Sequence, residues 1–260
     1  MGRAADRSGN MRGVVRALGV LRALNQQDGA GISTLSRITA IPRPSLYRIL
    51  DTLVELGYAR RRDDGERYEL TLLVRTLSDG FRDEDWVRSI ALPAIEALQK
   101  EIVWPAEVGT FFDDAMYLRA TTRRHSPLTI DRQTVGLRVP LLLSAAGRAY
   151  LAFCPERERA TILENLKKSA DPHDALARDA RYVRNVLSVT RRNGYGQRHG
   201  EVYPKTGAIA VPVMQGGRVI CCLSFTFIAS ALTPKEAAAR YLRKLRAAAD
   251  GIERQLAEEA

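Results

Sequence analysis

The stretch IPRPSLYRIL, Ile41 to Leu50, contains two prolines and two arginines, and its later residues begin the apolar spacing of a helix. Pro44 suits the first turn of a helix, where the N–H that proline lacks would have no partner within the helix. Pro42 stiffens the turn before it. Apolar residues then recur at i, i+3, i+4, i+7 and i+8: Leu46, Ile49, Leu50, Leu53 and Val54. The pattern predicts a helix whose first two turns present polar and cationic side chains to solvent.

The segments on either side of this helix predict the rest of a small domain. Residues 13–25 (GVVRALGVLRALN) have the apolar spacing of an amphipathic helix, and Ser33 or Ser36 is expected to begin a second, short helix. Two strand-like runs then flank Asp64-Gly65, which is a strong hairpin signal. Three helices followed by a charged β-hairpin form a winged helix-turn-helix, and residues 11–70 are its expected extent.

The third helix and the hairpin supply the candidate DNA contacts. A recognition helix enters the major groove by its N-terminal turns, whose side chains reach base edges and phosphates, and the helix N-terminus itself attracts phosphate. Hairpin arginines would neutralise phosphates or enter the minor groove. An alternative interpretation is a helical bundle with a solvated, arginine-rich face. The predicted DNA-binding residues are Ser33, Arg43, Pro44, Ser45, Tyr47, Arg48, Arg60, Arg61, Arg62 and Arg67.

The charge of the chain agrees with a polyanionic partner. The formal net charge is +10, and the pI is near 9.8. Residues 1–75 carry 13 Arg against 8 Asp and Glu, so their charge density is more than twice that of the remainder. However, arginine outnumbers lysine by 34 to 6 over the whole chain, which is also the mark of a coding bias. Charge alone therefore does not establish DNA binding.

Length and composition limit the class of protein. A chain of 260 residues with 45% apolar residues suits two domains with real cores. The sequence contains neither a run of about 18 apolar residues nor an apolar segment after its basic start, so we expect no membrane partner and no secretion signal. Three cysteines (Cys154, Cys221 and Cys222) are too few for a disulfide framework and indicate a reducing, cytoplasmic setting.

The remainder of the chain predicts a helical connector and a second domain. Residues 71–89 form the expected linker helix, whose apolar face is too small to be a domain and is a place where a partner chain could pack. Over residues 90–260, strands such as AEVGTFF, GAIAVPVM and RVICCLSFTF are mostly segregated from the helices expected to cover them. That order indicates an α+β domain, a sheet with helices packed on it. The connector's apolar residues are Leu72, Leu73, Leu77 and Phe81.

These motifs together resemble a known family. VVRALGVLRALN, TLSRITAIPRPSLYRILDTLVELGYA and RYEL are similar to the DNA-binding domain of the IclR family of bacterial transcriptional regulators. VGLRVPLLLSAAGRAYLAF, TRRNGYGQRHGEVYPKTGAIAVPV and GRVICCLSFTF are similar to its effector domain, in the same order. The resemblance runs from Met11 to about Leu256. Within the family, SPLTIDRQTVGLRVPLLLSAAGRAYLAFCP most resembles regulators of 3-phenylpropionate and hydroxyphenylpropionate catabolic operons.

The resemblance implies an architecture and a set of partners. The fold would be α+β, with an N-terminal winged helix-turn-helix, a linker helix and a C-terminal GAF-like effector-binding domain. A homodimer, or a dimer of dimers forming a homotetramer, would read a palindromic operator in double-stranded DNA near a promoter, with RNA polymerase as a candidate partner. The narrower resemblance favours control of an aromatic catabolic operon, by activation rather than repression. It implies no cofactor.

The resemblance also implies an effector pocket between one face of the sheet and the loop that enters the SAAGRA helix, which Ser144 is expected to cap. The family often has an acidic residue at the position of Arg198 and a cysteine at that of Ala208. Arginine is a natural bidentate partner of a carboxylate, so we expect a carboxylate effector, such as a hydroxyphenylpropionate. Matched motif by motif, the effector-binding positions are Leu143, Ser144, Ala145, Arg198, Ala208, Ser224 and Thr226.

Other interpretations stay open at this point. Arg198 could instead lie on the surface beside Glu201, where an ion pair contributes little to stability. Arg123 and Arg124 could close over an acid, although their sequence suits a solvated turn better. A metal- or redox-responsive regulator would use the cysteines and histidines of the second domain. However, none of these has zinc-ligand spacing, and the neighbours Cys221 and Cys222 should face opposite sides of a strand.

Sequence motifs give no support for an enzyme with a DNA-binding domain. The patterns G-x-S-x-G, H-E-x-x-H, G-x-x-x-x-G-K-[ST] and G-x-G-x-x-G are all absent from the sequence. Its three histidines share no motif, so no nucleophile and base can be nominated. We therefore expect a protein that is not an enzyme, with no catalytic residues and no metal ligands.

Overall fold

The computed structural model describes residues 8–27, 29–78, 85–130 and 135–258, and it describes side chains from residue 12 onward. The chain divides into two compact units, Met1–Arg82 and Asp83–Ala260. This division falls inside the segment that the sequence predicts as a linker. The boundaries 11–70, 71–89 and 90–260 stay a prediction. None of the helices in the described ranges is long and apolar enough to cross a bilayer.

The N-terminal unit is a winged helix-turn-helix, as predicted. Its helices are α1 (Ser8–Gln26), α2 (Ile32–Thr39) and α3 (Arg43–Glu55). Its strands are β1 (Ala30–Gly31), β2 (Ala59–Arg61) and β3 (Arg67–Leu70), which form an antiparallel sheet in the order β1-β3-β2. The hairpin of β2 and β3 excludes the alternative of a bare helical bundle. The core of the unit is built from Val20, Leu24, Leu35, Leu46, Leu50, Leu53 and Tyr68.

The predicted start of α2 is wrong. The residue that precedes the helix is Gly31, whose extended backbone belongs to β1, and no side chain caps the helix. Because β1 is paired with β3, α2 begins at Ile32, before either serine. Ser33 therefore lies in the first turn, and the Ser36 hydroxyl donates to the Ile41 carbonyl at 2.8 Å, which closes the turn before α3.

Helix α3 has the ends that its sequence predicts. Pro42 precedes the helix and Pro44 lies in its first turn. Gly57, with φ of +78°, follows its C-terminal end in the left-handed conformation that glycine adopts most easily, and the Tyr58 N–H turns back to the Leu53 carbonyl. Leu46, Leu50 and Leu53 are buried, which leaves the opposite face of the helix to solvent.

The connector is described in part. Leu72–Ser78 is a 3-10 helix on which Leu72 and Leu77 are exposed. Residues 79–84, which include the predicted apolar Phe81, lie outside the described residues. In the second unit, Val87–Ala91 forms a π-helical turn that continues into α4 (Leu92–Ile102).

The C-terminal unit is the predicted α+β domain, with helices on both faces of a six-stranded antiparallel sheet. Its strands are β4 (Ala106–Phe112), β5 (Ala115–Thr121), β6 (Arg138–Val139), β7 (Gly196–His199), β8 (Thr206–Gln215) and β9 (Arg218–Ile228). The order across the sheet is β6-β5-β4-β9-β8-β7, so two short strands form its edges. The Met214 N–H of β8 donates to the Glu253 carboxylate at 2.6 Å.

Two hydrophobic cores lie on the two faces of this sheet. Helix α4 and the final helix α8 (Pro234–Glu258) pack on one face, through residues such as Ile95 and Ile252. Helices α5 (Ala145–Phe153), α6 (Glu156–Lys168) and α7 (Ala180–Asn193) pack on the other. Cys221 belongs to the first core and Cys222 to the second, which confirms the prediction that these neighbours face opposite sides.

Candidate functional site

The N-terminal end of α3 presents the cationic surface that its sequence predicts. Arg43, Pro44, Tyr47 and Arg48 are exposed, and Ser45 is half-buried. Arg43 Nη2 donates to the Ser33 hydroxyl at 2.9 Å, which joins the first turns of α2 and α3. Within the described residues, neither Arg43 nor Arg48 forms an ion pair, so both guanidinium groups can bind an anion without losing a carboxylate partner.

Carboxylates already pair with the hairpin arginines. Arg60 and Arg62 each contact Glu69 at 2.5 Å, and Arg61 contacts Asp51 at 3.2 Å while its guanidinium lies 5.2 Å from the centre of the Tyr68 ring. A hydrogen bond from Arg62 and the charge of Arg60 hold the pKa of Glu69 below its ordinary value. Arg67 pairs with Asp64 at 3.5 Å in the same way.

These hairpin ion pairs are exposed and therefore weak. The four arginine side chains are between 35% and 71% exposed, a setting in which an ion pair contributes little to stability. Phosphate oxygens can replace such partners at little cost. The carboxylates of Asp51, Asp64 and Glu69 are features that the sequence analysis did not assign to this surface.

A cavity in the C-terminal unit lies between the sheet and the N-terminal end of α5. It encloses about 50 Å³, room for a few water molecules. Six of the seven predicted effector-binding residues line it: Ser144, Ala145, Arg198, Ala208, Ser224 and Thr226. The seventh, Leu143, directly precedes Ser144 but is not among the described residues that line the cavity. The six lining residues come from three strands and from the N-terminal end of one helix, which thus meet at one place.

The register of the paired strands brings these side chains together. Ala208 of β8 lies opposite Arg198 on one side and Thr226 on the other, and Glu107 of β4 lies opposite Ser224. Small side chains in this row leave the floor of the cavity open. The residue at Gly196 must be small as well, because a Cβ there would overlap the Ala145 carbonyl oxygen of α5. Helix α5 therefore lies directly on the sheet, with its N-terminal end over the cavity.

Ser144 caps α5 as predicted. Its hydroxyl oxygen accepts a hydrogen bond from the Gly147 N–H at 3.0 Å. The hydroxyl proton is left to donate elsewhere, and Ser144 lines the cavity. The partial positive charge of a helix N-terminus favours an anion at this end.

Arg198 is a buried cation in the wall of the cavity, only 5% exposed. Its Nη1 donates to the Thr206 carbonyl at 2.7 Å and its Nη2 to the Thr206 hydroxyl at 2.8 Å. The centre of the Tyr203 ring lies 5.1 Å from the guanidinium carbon, so the face of the ring covers the guanidinium group. Burial lowers the pKa of Arg198, against the opposing attraction of Glu107. Arg198 nevertheless forms no ion pair with any carboxylate of the described residues.

The alternative position of Arg198, on the surface beside Glu201, is wrong. Glu201 instead pairs with Arg148 of α5, at 2.9 Å. Arg148 is buried and also donates to the carbonyls of Leu142 and Gln197. Burial acts to raise the pKa of Glu201, but the charge of Arg148 and nearby N–H donors outweigh it and lower that pKa. The strand β7 therefore points Arg198 inward and leaves Glu201 to the helix.

The interpretation of Arg123 as part of a solvated turn is also wrong. Arg123 is 5% exposed, and its Nε and Nη2 both lie 2.5 Å from Glu107 Oε1. The Thr226 hydroxyl accepts from Arg123 Nη2 at 3.2 Å and donates to Glu107 Oε2 at 3.3 Å. Arg124 is exposed. The cavity wall thus carries a second charged group that the sequence analysis missed, the ion pair of Glu107 with Arg123.

The cysteines do not fit a redox or metal sensor. All three thiols are buried; burial raises the pKa of Cys154 to about 11 and that of Cys222 well above its ordinary value. The thiolate is the reactive and metal-binding form, so these shifts work against both roles. The described part of the chain contains no group of three or more His, Cys, Asp or Glu residues that could hold a metal ion.

Comparisons with known proteins agree on one family for both units. The family model for the IclR helix-turn-helix domain matches residues 13–63, and that for the bacterial transcriptional regulator IclR C-terminal domain matches residues 83–254. The chain is 29% identical to the HTH-type transcriptional regulator KdgR of Escherichia coli (strain K12), over 82% of this chain and 81% of that protein. It is 26% identical to the Pca regulon regulatory protein of Pseudomonas putida, over 95% and 84%.

Solved structures share the fold. The Thermotoga maritima IclR structure covers 95% of this chain and 99% of its own, with a TM-score of 0.64 and 20% identity. An IclR homologue from Microbacterium hydrocarbonoxydans, solved in complex with 4-hydroxybenzoate, covers 95% and 99%, with a TM-score of 0.61 and 24% identity. At these identities, the likeness extends to the architecture of both units.

Proposed function

We infer the function from one premise: the chain belongs to the IclR family of bacterial transcriptional regulators. We propose that its C-terminal unit binds a small carboxylate, an aromatic acid such as a hydroxyphenylpropionate, and that binding changes operator affinity or promoter activation. The regulated genes would form a catabolic operon, with activation favoured over repression. Its family and relatives are transcriptional regulators, which are not enzymes, and we propose no catalytic activity.

The observation that carries the effector proposal is the state of Arg198. Taking a guanidinium out of water costs several kcal/mol, and proteins normally offset that cost with a carboxylate. Arg198 has two neutral oxygens of Thr206 and the face of Tyr203 instead. A bound carboxylate would supply the missing negative charge, and the hydroxyl of Ser144 can donate to it. The same argument gives no support to a metal effector.

An aromatic acid requires the cavity to open. A volume of about 50 Å³ does not hold a phenyl ring, so the lining must move. Tyr203 is the candidate cover, because it is half-buried, lies over Arg198 and belongs to the segment that joins β7 to β8. We propose that the aromatic ring of the effector takes the place of the Tyr203 ring.

We propose that the first turns of α3 read base edges and that the hairpin arginines contact the backbone of double-stranded DNA. The active form would be a homodimer or a dimer of dimers in the cytoplasm, near RNA polymerase at a promoter. An effector alters operator affinity only if it binds one arrangement of that assembly better than another. Residues 71–89 are the proposed element through which the two domains are coupled.

The test compares ligand binding with DNA binding. Thermal unfolding of the wild type would be followed with 3-phenylpropionate, 4-hydroxybenzoate and, as the uncharged control, 3-phenylpropionamide. A ligand at 100 times its Kd adds about 2.7 kcal/mol of stability. We expect stabilisation by the acids, none by the amide, and its loss in Arg198→Met. The matched control is Arg218→Met, a change at an exposed arginine of the same unit.

The second half of the test is binding to an operator fragment, selected with the wild-type protein from a pool of random duplexes. Arg198→Met should bind this fragment as the wild type does, but without a response to the acid. Equal stabilisation of Arg198→Met and wild type would place the carboxylate elsewhere. If no acid in the panel stabilises the wild type, the carboxylate proposal is wrong, and the assignment to a family of DNA-binding regulators is unaffected.

A further inference from the structure

We propose that Glu107 determines the specificity of the cavity: its carboxylate accepts a hydrogen bond from a hydroxyl group of the effector. The effector would then be a hydroxylated monocarboxylate, with its carboxylate on Arg198 and its hydroxyl at the opposite end. This inference rests on the function proposed above and adds a second recognition point to it.

The two charged groups, Arg198 and Glu107, line the same cavity. Arg198 lies on β7 and Glu107 on β4, and the strands β8 and β9 lie between them. Three strand spacings of about 4.8 Å separate the two strands, and Glu107 is offset along the sheet, because it lies opposite Ser224 whereas Thr226 shares the row of Arg198. Directly paired residues and residues two apart on a strand share a face, so both side chains lie on the same face of the sheet. Ala208, Ser224 and Thr226 form the floor of the cavity. A ligand that contacts Arg198 can therefore reach Glu107 with its far end.

Glu107 can accept a further hydrogen bond on its carboxylate oxygen Oε2. Oε1 takes both contacts from Arg123 at 2.5 Å. Among the described residues, Oε2 accepts one hydrogen bond, from the Thr226 hydroxyl at a long 3.3 Å. A carboxylate oxygen has two lone pairs, so Oε2 can accept one more donor.

The hydrogen bonds of Thr226 and Ser144 determine which of these two hydroxyl groups can donate to a bound carboxylate. The Thr226 hydroxyl donates its proton to Glu107 and accepts from Arg123, so it has no proton to offer a bound carboxylate. Ser144 keeps its proton, because its oxygen serves as the cap of α5. The donors at the Arg198 end therefore suit a carboxylate, whereas the acceptor at the Glu107 end suits a hydroxyl group.

This arrangement also excludes a class of ligand. A second carboxylate at the far end would meet Glu107, a like charge in a site with little water. An acid without the hydroxyl would leave the Oε2 position unfilled and lose a hydrogen bond to a charged group. Such a bond contributes about 10-fold to 100-fold in affinity. The cavity should therefore prefer hydroxy acids to both plain acids and diacids.

The first experiment uses the wild-type protein and matched ligands. Calorimetric titrations would compare benzoate with 4-hydroxybenzoate, 3-phenylpropionate with 3-(4-hydroxyphenyl)propionate, and 4-hydroxybenzoate with terephthalate, in which a carboxylate replaces the hydroxyl. We expect the hydroxy acid of each pair to bind about 10-fold to 100-fold more tightly. Equal affinities within the pairs, or tighter binding of terephthalate, would overturn the role of Glu107.

The failures of the two proposals can be told apart. If plain and hydroxylated acids bind equally and both lose binding in Arg198→Met, the carboxylate site stands and the Glu107 inference is wrong. If no acid in the panel binds, both proposals are wrong.

Variants then assign the preference to Glu107. Glu107→Gln should reduce the preference for hydroxy acids over plain acids to about 2-fold to 10-fold, because a neutral amide oxygen accepts a weaker hydrogen bond than a carboxylate does. It should also improve the affinity for terephthalate and leave that for plain acids nearly unchanged. A purely structural role would weaken all of these ligands alike. Because Glu107→Gln removes the carboxylate that pairs with the buried Arg123, the double variant Glu107→Gln/Arg123→Met would be measured beside it. If neither variant folds, the comparison of ligands on the wild type decides.

Discussion

The hairpin of the N-terminal unit and the cavity of the C-terminal unit both depend on arginine, but the two sets differ in their access to water. Arg60, Arg61 and Arg62 are solvated and hold carboxylates that they can exchange. Arg148 and Arg198 are buried, where every charge needs a partner. Arg148 has one in Glu201, and Arg198 has none among the described carboxylates. An arginine thus indicates an anionic ligand most strongly where it is buried and lacks a carboxylate.

The largest expected effect separates the two buried arginines. Arg148→Met removes the partner of Glu201 and the donor to two carbonyls, which should destabilise the C-terminal unit by about 3–5 kcal/mol. Arg198→Met removes a buried charge without a carboxylate partner, so the change should stay within about 1 kcal/mol or stabilise. Urea unfolding followed by tryptophan fluorescence measures this, because both tryptophans, Trp86 and Trp104, lie in the C-terminal unit. Equal destabilisation by both changes would make Arg198 a structural residue.

A smaller effect is expected at α3. Arg43→Ala and Arg48→Ala should each cost about 1–3 kcal/mol of operator binding, if these side chains reach base edges. Fluorescence anisotropy with the operator fragment and with an unrelated duplex measures the specific part of the loss. Arg218→Ala, an exposed change in the other unit, serves as the control. Wild-type affinity in both α3 variants would contradict the assignment of α3 as the recognition helix.

The smallest effect is expected at the hairpin. Arg60→Ala should weaken binding to all duplexes alike and reduce the slope of log affinity against log salt by about 1, as expected for one phosphate contact. Glu69→Gln should strengthen binding to all duplexes and increase the slope, because it releases Arg60 and Arg62 from their shared carboxylate. Titrations over a range of salt concentrations measure both. An unchanged slope in Arg60→Ala would exclude a phosphate contact at that position.

Sequence reasoning predicted best those features that depend on neighbours in the chain. The position of Pro44, the apolar spacing from Leu46 and the Ser144 cap are local, and each has the predicted structure. The start of α2 was mispredicted because the pairing of Ala30 and Gly31 with β3, a contact with residues 67 and 68, sets it.

The polar contacts of the cavity were missed for the same reason. Thr226 contacts Arg123 and Glu107, which lie 103 and 119 positions away in the sequence, so no local pattern predicts these contacts. One signal was present: a glutamate inside the apolar strand AEVGTFF, at a position that an exposed face does not explain. Arg123 and Tyr203 lie in turns between strands, and no pattern in the sequence indicates the burial of Arg123 or the position of the Tyr203 ring over Arg198.

The edges of the six-stranded sheet have a consequence for aggregation. An open sheet recruits other chains through long, bare edge strands, but here the edges are β6, with two residues, and β7, with four. Beyond the end of β7, the part of β8 that has no neighbouring strand on that side contains Pro212, which has no N–H to offer a further strand. The Met214 N–H in that part is already bonded to Glu253 of α8. Within the described residues, the β7–β8 edge therefore offers little backbone for strand addition, and a further chain would have to join the sheet there mainly through side chains.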